Sequence, residues 1–389
     1  MNAMDGAAAA MRGDWLFPTE VRFGIGRLEE LGEVCRRLGM TRPMIVTDRG
    51  LARLPLAGRV ANAAAALGAA PVLFAEVQEN PTGGNVEAGC AAFAAAGADG
   101  VIALGGGSAL DCGKCIALLA GRGGSLWRFA WPEHASAGEE RGAAPIVAIP
   151  TTAGTGAEVE ASAIVTDEAL PAKRAVIHPE MMPRVVIADP TLTVTMPGWL
   201  TAATGMDALS HNLEALCAPG FHPMADAVAL RGVALAGTWL PRAVAEPDDL
   251  QARGWMMAAA IMGATAFAKG LGAMHALSHA IGALEGRHHG LTNAVLMPFV
   301  LAHNRPSIEA PMAELAHALR LPGGDFTAAC DWILQLRRAV GIPPTLGALG
   351  VAPERFAAIA RLAARDICAG TNPRPVDEAA LGGILQAAA

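Results

Sequence analysis

The amino-acid sequence predicts an α/β domain followed by an all-helical domain, because its hydrophobic pattern changes once along 389 residues. Between about residues 20 and 190, short apolar runs alternate with Ala- and Leu-rich stretches of helical spacing. This alternation is typical of βαβ units, and it predicts a mainly parallel, Rossmann-like sheet covered by helices. After residue 190 the helical spacing continues without such runs. The length agrees with two domains, because a single core rarely grows past about 250 to 300 residues.

In chain order, the first expected element is an unstructured extension. We expect residues 1–14 to be disordered, since they have neither a basic leader nor an apolar segment long enough for a secretory signal. The predicted strands are the apolar runs at residues 43–47, 71–75, 100–104, 144–149 and 185–188. Beyond them, breaks that contain Pro or Gly at 218–220, 246–247, 305–306, 322–324 and 343–344 separate the predicted helices. The predicted domains are therefore an α/β domain at residues 1–189 and an all-α domain at residues 190–389.

Composition makes several classes of protein improbable. A formal net charge of -7 and a sequence pI near 5.8 are unfavourable for binding a nucleic-acid backbone. The 53% hydrophobic content comes largely from alanine, and the longest uncharged apolar run, residues 255–268, is shorter than the roughly 20 residues that span a bilayer as a helix. We therefore expect no nucleic-acid partner, no membrane insertion and a cytoplasmic location.

Cysteine and tyrosine usage narrows the chemistry. The seven cysteines are odd in number and scattered, so they do not suggest a disulfide framework. Cys112 and Cys115 form a single C-x-x-C pattern, which is more often a pair of small buried thiols than a redox or zinc motif. The chain contains no tyrosine, which excludes any mechanism that needs a tyrosine acid, including that of the short-chain dehydrogenases.

The helical half contains two segments that together predict a metal site. Asp207 and His211 are four residues apart, so they share one face of a helix, and His275 and His279 repeat that spacing before a further histidine at His289. Either pair alone is more often a solvated face or a satisfied core histidine. The flanking Gly, Ala, Met and Leu would place these polar groups in apolar surroundings, where a common metal partner is the economical explanation. Carboxylate and imidazole ligands suit Fe²⁺ or Zn²⁺ and suit Ca²⁺ or Mg²⁺ poorly.

Two loops in the α/β half predict a nucleotide site. Residues 105–108 follow an apolar strand and open a helix, so their glycines allow a diphosphate to approach the backbone at a helix N-terminus. Residues 150–158 follow another strand and offer hydroxyl groups at the same sheet edge, where open α/β sheets bind ligands. A plain glycine turn is the alternative. The candidate residues in these loops are Gly105, Gly106, Gly107, Ser108, Asp111, Thr151, Thr152 and Thr155.

Taken together, these motifs resemble the iron-containing, group III alcohol dehydrogenases over nearly the whole chain. The resemblance rests on Gly-Met-Asp-Ala-Leu-Ser-His at 205–211, on the glycine-bounded histidine pair at 272–282, on the final His-Gly at 289–290, and on the two loops. It implies that the metal ligands are Asp207, His211, His275 and His289, with His279 close to the nicotinamide and the substrate. Many members carry proline at the position of His288, so the choice between His288 and His289 stays open.

The expected cofactors are Fe²⁺ or Zn²⁺ and NAD(H) in preference to NADP(H). We expect the α/β domain at residues 1–189 to bind the dinucleotide and the all-α domain at residues 190–389 to bind the metal and the substrate. Asp48 follows the first apolar strand, where a carboxylate can accept hydrogen bonds from ribose hydroxyls and would repel a 2′-phosphate. In the resembled family an acid there accompanies NAD(H); an exposed turn residue is the alternative. The resemblance also implies that Asn80 lies near the adenine, that Lys114 belongs to the cofactor-domain motif, and that Lys173 lies over the cofactor cleft. A plain turn and exposed lysines are the alternatives.

The resemblance implies a metal-dependent NAD(P)-linked alcohol dehydrogenase or aldehyde reductase that acts on a small alcohol or aldehyde as a homodimer or larger homo-oligomer. The metal would polarise the substrate oxygen during hydride transfer, and His279 would relay a proton or orient the nicotinamide. One alternative is a glycerol-dehydrogenase-like zinc polyol oxidoreductase or a dehydroquinate-synthase-like lyase, which generally have one acid and two histidines. The other is a non-catalytic nucleotide- and metal-binding protein.

Lys269 suggests a further expectation about the substrate. It is the single charged residue between Gly254 and His275, in an apolar stretch that leads to the predicted metal site. In one interpretation its ammonium reaches solvent at a helix end. In the other it lines the substrate entrance and pairs with an acidic group on the substrate.

Overall fold

The computed structural model describes residues 13–16, 19–66, 68–133, 142–170 and 172–389, with the backbone alone described at 13–16. The chain forms two compact units. Unit 1 comprises Met1–Thr152 and Gly156–Val194, and unit 2 comprises Ala153–Thr155 and Thr195–Ala389. The assignment of cofactor binding to residues 1–189 and of metal and substrate binding to residues 190–389 stays a prediction.

Unit 1 contains a seven-stranded sheet and a separate two-stranded sheet. The strands are β1 Gly13–Leu16, β2 Glu20–Phe23, β3 Pro43–Asp48, β4 Val72–Val77, β5 Gly100–Gly105, β6 Ile146–Pro150, β7 Ser162–Asp167, β8 Ala172–Ile177 and β9 Val185–Ala188. The order in the large sheet is β1-β2-β9-β6-β5-β3-β4, with β1 antiparallel to β2 and every other neighbouring pair parallel. The β7–β8 pair is antiparallel.

The five strands predicted from apolar runs are present as β3, β4, β5, β6 and β9, with ends within two residues of the prediction. Strand β2 and the pair β7 and β8 were missed, because charged and polar residues interrupt their apolar patterns. Of the extension predicted to be disordered, residues 1–12 lie outside the described residues. Gly13 and Asp14 instead lie in β1, opposite Phe23 and Arg22 of β2, so for these two residues the prediction was wrong. The physical reason is backbone pairing along the edge of the sheet, which the side-chain pattern does not reveal.

The helices of unit 1 cover its parallel sheet. They are α1 Leu31–Arg37, α2 Arg49–Ala52, α3 Pro55–Ala65, α4 Gly83–Ala96 and α5 Gly107–Ala120. All six residues of β5 are buried, as expected for a central strand of a parallel sheet that is packed on both faces. Leu31 of α1 and Val60 of α3 pack into one core cluster with Ile102, Ile149 and Ile187 from three strands. This core fixes the carboxyl ends of the strands, where the predicted cofactor loops begin.

Every regular element described in unit 2 is helical, in agreement with the predicted fold class. The helices are α6 Gly198–Cys217, α7 Pro223–Ala245, α8 Leu250–Ala266, α9 Ala273–Glu285, α10 His289–Ala318, α11 Phe326–Ala339, α12 Phe356–Ala363 and α13 Glu378–Ala387, with short 3₁₀ turns between some of them. The break predicted at 305–306 was wrong, because α10 continues through Pro306. Asn304 and Ile308 are buried on either side, so packing outweighs the hydrogen bond that the proline removes. Helix α6 is central, and its residues are buried from Thr201 to Cys217. A Cβ on Gly205 would lie 2.2 Å from Leu240 Cδ1, so glycine permits α6 to approach α7 closely. The four predicted metal ligands lie on α6, α9 and α10.

Within the described part of the chain, no individual helix combines the length and apolarity needed to cross a membrane. By length and composition alone, the bent pair Leu250–Lys269 and Ala273–Glu285, with a 108° angle between its halves, meets the criterion.

Candidate metal centre and cofactor loops

Four of the predicted residues come together inside unit 2. Asp207 and His211 lie one turn apart on the same face of α6, His275 lies in the first turn of α9, and His289 is the first residue of α10. One potential ligand atom from each residue lies within 4.8 Å of the others. Asp207, His211 and His275 are buried, and His289 is half-buried. The arrangement therefore joins one carboxylate and three imidazoles from three helices at one point.

A carboxylate that the sequence analysis did not identify holds the His275 ring. Glu214 of α6 is buried, and its Oε2 accepts a hydrogen bond from His275 Nδ1 at 2.6 Å. The same carboxylate accepts backbone hydrogen bonds from Gly272 and Met274, each at 2.8 Å. These contacts place a proton on Nδ1, so the Nε2 lone pair of His275 faces the cluster. A carboxylate bonded to a histidine in this way orients the ring and increases its basicity as a metal ligand.

The other two imidazoles are oriented in the same sense. His211 Nδ1 lies 3.3 Å from the carbonyl oxygen of Gly154, which can accept a hydrogen bond but cannot donate one. The Ser278 hydroxyl donates to the carbonyl oxygen of His289 at 3.0 Å, so its oxygen is available to accept from His289 Nδ1 at 2.9 Å. In each ring Nδ1 is therefore the protonated nitrogen, and the Nε2 lone pair is left to face Asp207.

The electrostatics of this cluster favour a bound cation. Burial lowers the pKa of His211 to about 4, because a charged imidazolium is poorly solvated there, and His211 is therefore neutral near pH 7. Burial also disfavours charge on His275, but the hydrogen bond and the negative charge of Glu214 outweigh it and raise the pKa of His275. The carboxylates that favour a proton on His275 equally favour a metal ion at its Nε2 lone pair. Three nitrogen lone pairs beside a buried carboxylate fit Fe²⁺ or Zn²⁺.

His279 lies beside the four residues, one helical turn beyond His275. Its ring stacks on that of His289 with centroids 5.1 Å apart and 16° between planes. His279 Nδ1 lies 2.9 Å from Asp366 Oδ2, while the other oxygen of Asp366 accepts from the backbone N–H of Cys368 at 2.8 Å. Burial alone would raise the pKa of Asp366, but its contacts to His279 and Cys368 outweigh burial and lower that pKa. Asp366 therefore orients His279 and leaves Nε2 of its ring for another partner.

The choice between the two adjacent histidines is resolved geometrically. His289 Nε2 lies 3.6 Å from Asp207 Oδ1, within the cluster. His288 instead caps α10, where its Nδ1 accepts a hydrogen bond from the backbone N–H of Leu291 at 3.4 Å. Its ring meets Trp199 edge-to-face, with centroids 5.7 Å apart. The structure thus brings His289, and not His288, to the four-residue cluster.

In unit 1, the glycine loop and the second loop lie side by side at the carboxyl ends of β5 and β6. Gly105 has φ 147°, and a Cβ there would lie 2.7 Å from Ala109 Cβ, so the position requires glycine. The backbone N–H of Thr151 donates to the Gly105 carbonyl at 3.0 Å. A Cβ on Gly106 would lie 3.1 Å from the Thr152 methyl group. These contacts form a close-packed backbone cradle from which a larger side chain is excluded.

The beginning of α5 suits an anionic group. The helix starts at Gly107, and its N-cap Gly106 provides no side-chain cap. Helix N-termini attract anions through their backbone N–H groups and their dipole. Ser108 Oγ accepts a hydrogen bond from the backbone N–H of Asn80 at 3.3 Å, and Asn80 has a left-handed φ of 59°. The predicted adenine-side residue therefore lies next to the predicted diphosphate loop.

Asp48 lies at the end of β3, next to this cradle. Its Oδ1 accepts hydrogen bonds from the backbone N–H groups of Gly50 and Leu51, at 2.7 and 2.9 Å, and thereby caps α2. Its Oδ2 lies 3.8 Å from the position of a Cβ on Gly105. One carboxylate oxygen thus has a structural role, while the other lies beside the glycine loop, where a ribose would be recognised.

The remaining predicted cofactor residues have different surroundings. Asp111 forms an ion pair with Lys114 at 2.9 Å, and its Oδ2 accepts from the backbone N–H of Ile164 at 2.9 Å, so both of its oxygens contact protein groups. Lys173 is half-buried in β8 opposite Thr166. Thr155 belongs to unit 2. The cofactor roles of these residues stay predictions.

Lys269 differs from both sequence-based interpretations. Its side chain is 6% exposed, so it does not reach solvent as a snorkelling lysine would. Its Nζ lies 2.5 Å from Asp226 Oδ1 and donates to the carbonyl oxygen of Leu216 at 3.2 Å. The acidic partner is thus a residue of α7 and not a substrate. A buried ammonium is costly unless it is paired, and Asp226 supplies that pairing within the protein.

The sequence analysis missed Glu214, Ser278 and Asp366, which orient the histidines. A partial signal existed for Glu214, because Asp207 and Glu214 are the two charged residues in the otherwise uncharged α6. For Ser278, the sequence signal is its position one residue before His279. For Asp366 no local signal exists, because its partner His279 is 87 residues away in the chain.

Comparisons with known proteins agree with this geometry. Residues 18–190 match the family model described as iron-containing alcohol dehydrogenase, and residues 201–389 match that of the C-terminal region of the Fe-containing alcohol dehydrogenase family. The chain is 38% identical over 371 residues to 4-hydroxybutyrate dehydrogenase of Cupriavidus necator, covering 93% of this chain and 96% of the relative. It is 35% identical over 368 residues to the NAD-dependent methanol dehydrogenase of Bacillus methanolicus, covering 93% of this chain and 96% of that protein.

Solved structures support the same assignment. A crystal structure of 1,3-propanediol oxidoreductase is similar with a TM-score of 0.90 and 33% sequence identity, covering 97% of this chain and 100% of the solved one. The two family models together account for nearly all of the chain from residue 18 onward. The chain therefore belongs to the iron-containing alcohol dehydrogenase family and is an oxidoreductase that interconverts alcohols and aldehydes.

Proposed function

We propose that this enzyme binds a divalent metal, Fe²⁺ or Zn²⁺, through Asp207, His211, His275 and His289. The observation that carries the proposal is the common orientation of the three imidazoles, whose Nδ1 atoms face oxygen acceptors. One ring nitrogen of each histidine lies within 4.8 Å of an oxygen of the buried Asp207 carboxylate. Such a set of acceptors is costly to bury without a cation, because lone pairs and negative charge repel one another at low dielectric.

When bound, the metal supplies Lewis acidity at the substrate oxygen, and the nicotinamide supplies or accepts the hydride. The chain itself performs the remaining tasks. Glu214 holds the His275 ring, and Ser278 holds the His289 ring, so the ligands are oriented before a substrate arrives. Burial of Asp207, His211 and His275 strengthens electrostatic interactions within the centre.

His279 is proposed as the group that relays a proton. Its Nδ1 donates to Asp366, which leaves Nε2 to accept a proton from the substrate hydroxyl in oxidation and to return it in reduction. We expect His279→Ala to lower kcat by about 100-fold or more while metal content is preserved, because His279 is not a metal ligand in this proposal. Asp366→Asn should reduce kcat less and should change its pH profile. Loss of metal in His279→Ala would contradict this division of roles.

NAD(H) is proposed as the dinucleotide. The glycine cradle at residues 105–108 and the uncapped N-terminus of α5 suit its diphosphate, and Asp48 suits the ribose. The methanol dehydrogenase relative is NAD-dependent by name, which supports the same cofactor here.

The substrate is proposed to be a small alcohol or aldehyde that carries an acidic group. Lys269 is paired with Asp226 within the protein and gives this substrate class no support. Its support is the 38% identity to a 4-hydroxybutyrate dehydrogenase, an enzyme named for an ω-hydroxy acid. We further propose, on the family resemblance, that the enzyme acts in the cytoplasm as a homodimer or larger homo-oligomer; sedimentation of the purified protein would test its oligomeric state.

The decisive experiment combines metal removal with a substrate panel. The protein would be stripped with a chelator, reloaded with Fe²⁺ under anaerobic conditions or with Zn²⁺, and assayed with NADH or NADPH. Succinic semialdehyde and butanal compare anionic with neutral aldehydes; glycerol with NAD⁺ tests the polyol alternative. We expect metal-dependent oxidation of NADH, faster with succinic semialdehyde. His317→Ala is a matched control, because His317 is an exposed histidine of α10. Full activity in the stripped protein would refute the metal centre.

A further inference from the structure

One buried amide contacts three of the four candidate ligands at once. Asn293 of α10 has no solvent-exposed surface. Its Nδ2 lies 2.9 Å from Asp207 Oδ1, 3.2 Å from His275 Nε2 and 3.1 Å from His289 Nε2. These three partners belong to three different helices. The amide nitrogen of Asn293 therefore lies within hydrogen-bonding distance of three of the four candidate ligands.

The local sequence explains how α10 reaches this position. Asn293 follows His289 by four residues, so both side chains lie on the same face of the helix. Gly290 lies between them in sequence, and a Cβ there would be 2.5 Å from the Ala203 carbonyl oxygen and 2.9 Å from Asp207 Cβ. Glycine at this position allows α10 to pack directly against α6. The close approach brings the Asn293 amide within hydrogen-bonding distance of the Asp207 carboxylate.

The number of donors determines what the amide can do. An asparagine amide has two N–H groups, which cannot serve three acceptors at the same time. Two of the acceptors are the Nε2 atoms of His275 and His289, which hold the metal in the proposed function. The contact from Asn293 Nδ2 to Asp207 Oδ1 is the shortest of the three. This oxygen has lone pairs for both a hydrogen-bond donor and a metal. Donation to Asp207 is therefore the contact that remains compatible with a metal-loaded centre.

We propose that Asn293 is a positioning residue of the metal centre, which holds the Asp207 carboxylate in its ligating orientation by donating a hydrogen bond to Oδ1. The inference rests on the proposed function, since it assumes that Asp207 is a ligand. Asp207 is buried, so an undirected carboxylate would have several rotamers and poor solvation. Fixing it in advance reduces the cost of binding a metal, and loss of such a contact typically weakens metal affinity by about 10- to 100-fold.

Two rival roles make different predictions. In the first, the amide oxygen of Asn293 would itself be a ligand; Oδ1 has no hydrogen-bond partner among the described residues and is buried, so it would have to exchange places with Nδ2. In the second, Asn293 would only fill space. Replacement by aspartate separates the donor role from the ligand role, because a second carboxylate would improve a ligand but would repel Asp207. Replacement by leucine keeps the approximate shape and removes the donor.

The experiment measures Co²⁺ binding to the chelator-treated 389-residue protein and requires no turnover. Wild type, Asn293→Leu and Asn293→Asp would be titrated with Co²⁺, recording the visible d–d absorption and the dissociation constant. Asn304→Leu is the matched control, because Asn304 is also a buried asparagine of α10 but pairs with Asn372. We expect both Asn293 variants to bind Co²⁺ about 10- to 100-fold more weakly with an altered spectrum, and the control to retain wild-type affinity and spectrum.

The other outcomes are equally informative. Wild-type affinity and an unchanged spectrum in both Asn293 variants would overturn the inference, as would tighter binding by Asn293→Asp, which would identify the amide oxygen as a ligand. If Asn293→Leu fails to fold, the aspartate variant decides by itself. Absence of Co²⁺ binding in the wild type would instead refute the proposed metal centre on which the inference rests.

Discussion

Each unit of the molecule buries a cluster of polar and charged side chains, and the two clusters are neutralised in different ways. In unit 1, Lys114 of α5 is 1% exposed and pairs with Asp111 at 2.9 Å. Its Nζ also donates to the carbonyl oxygens of Ala157, at 2.8 Å, and Ser162. In unit 2, the contacts described for the four candidate ligands involve imidazole, carboxylate, amide, hydroxyl and carbonyl groups. None of these contacts includes a lysine or an arginine.

The comparison concerns the source of the positive charge in each buried cluster. Burial lowers the pKa of a lysine, but the charges of Asp111 and Glu160 outweigh burial and raise the pKa of Lys114, so it stays charged. The cluster of unit 1 therefore contains its own cation, Lys114. The hydrogen bonds of Lys114 to Ala157 and Ser162 connect α5 to the backbone before β7 and to the first residue of β7. In the proposed function, a metal ion supplies the cation of the cluster in unit 2. A buried carboxylate therefore indicates a binding site only after its counter-charge has been sought within the protein.

The largest expected effect comes from removing a histidine of unit 2. We expect His211→Ala and His275→Ala each to abolish metal binding and to reduce activity by at least about 100-fold, since even residues that only orient ligands account for about 10- to 100-fold. NADH should still bind, because its predicted loops lie mainly in unit 1. Elemental analysis and NADH fluorescence would measure the two effects separately. Stoichiometric metal with normal turnover in either variant would contradict the assignment of that histidine as a metal ligand.

The next largest effect concerns the internal cation of unit 1. Lys114→Met should destabilise the protein by about 3 to 5 kcal/mol, because it leaves Asp111, whose side chain is 13% exposed, without its charged partner. Denaturant unfolding followed by circular dichroism would give the free energy. The metal content of the folded protein should be unchanged. Lys269→Met provides a comparison in unit 2, where it removes a lysine that is also buried and paired. Unaltered stability of Lys114→Met would show that this lysine is not needed to balance the cluster.

A smaller effect should appear in the pH dependence of stability. Burial raises the pKa of Glu158 from 4.5 to about 7, with the backbone and Lys114 opposing the shift. The folded protein thus holds this proton more tightly than the unfolded chain, so its contribution to stability is present below pH 4.5 and is lost as the pH rises to about 7. Glu158→Gln should reduce the loss of unfolding free energy between pH 4.5 and about pH 7 by about 1 to 3 kcal/mol. Parallel stability curves for variant and wild type would contradict the assignment.

The smallest effect is expected at Asp48, a carboxylate that belongs neither to the lysine cluster of unit 1 nor to the proposed metal centre of unit 2. Asp48→Asn keeps an oxygen that can cap α2 but removes the charge that would repel a 2′-phosphate. We expect the ratio of kcat/KM for NADPH to that for NADH to rise about tenfold, less at high salt because Asp48 is partly exposed and screened. Asp48→Gly should give a similar shift in preference with lower stability, because it also removes the cap. An unchanged ratio would place Asp48 away from the ribose.

The extent to which the sequence predicts the site depends on the distance between partners in the chain. Asp207 and His211 could be paired from their spacing, because helical periodicity is a local property. The Glu214–His275 and His279–Asp366 contacts span 61 and 87 residues, and they depend on how separate helices pack. Lys269 was misinterpreted for the same reason, since its partner Asp226 lies 43 residues away on another helix. Strands β3, β5, β6 and β9 were predictable because their buried runs are continuous or nearly so, whereas β2 and the polar β7–β8 pair were not.

The Glu214 carboxylate has a consequence for the dynamics of unit 2. It accepts the backbone N–H groups of Gly272 and Met274 at the start of α9, a helix whose own N-cap residue, Gly272, has no side chain to serve as a cap. Fraying of that first turn must therefore also release the His275 ring from its orienting partner. A metal that binds the closed form raises the free energy of opening by mass action. The amides of Gly272 and Met274 thus become natural reporters of metal occupancy, with hydrogen exchange that slows as the metal concentration rises.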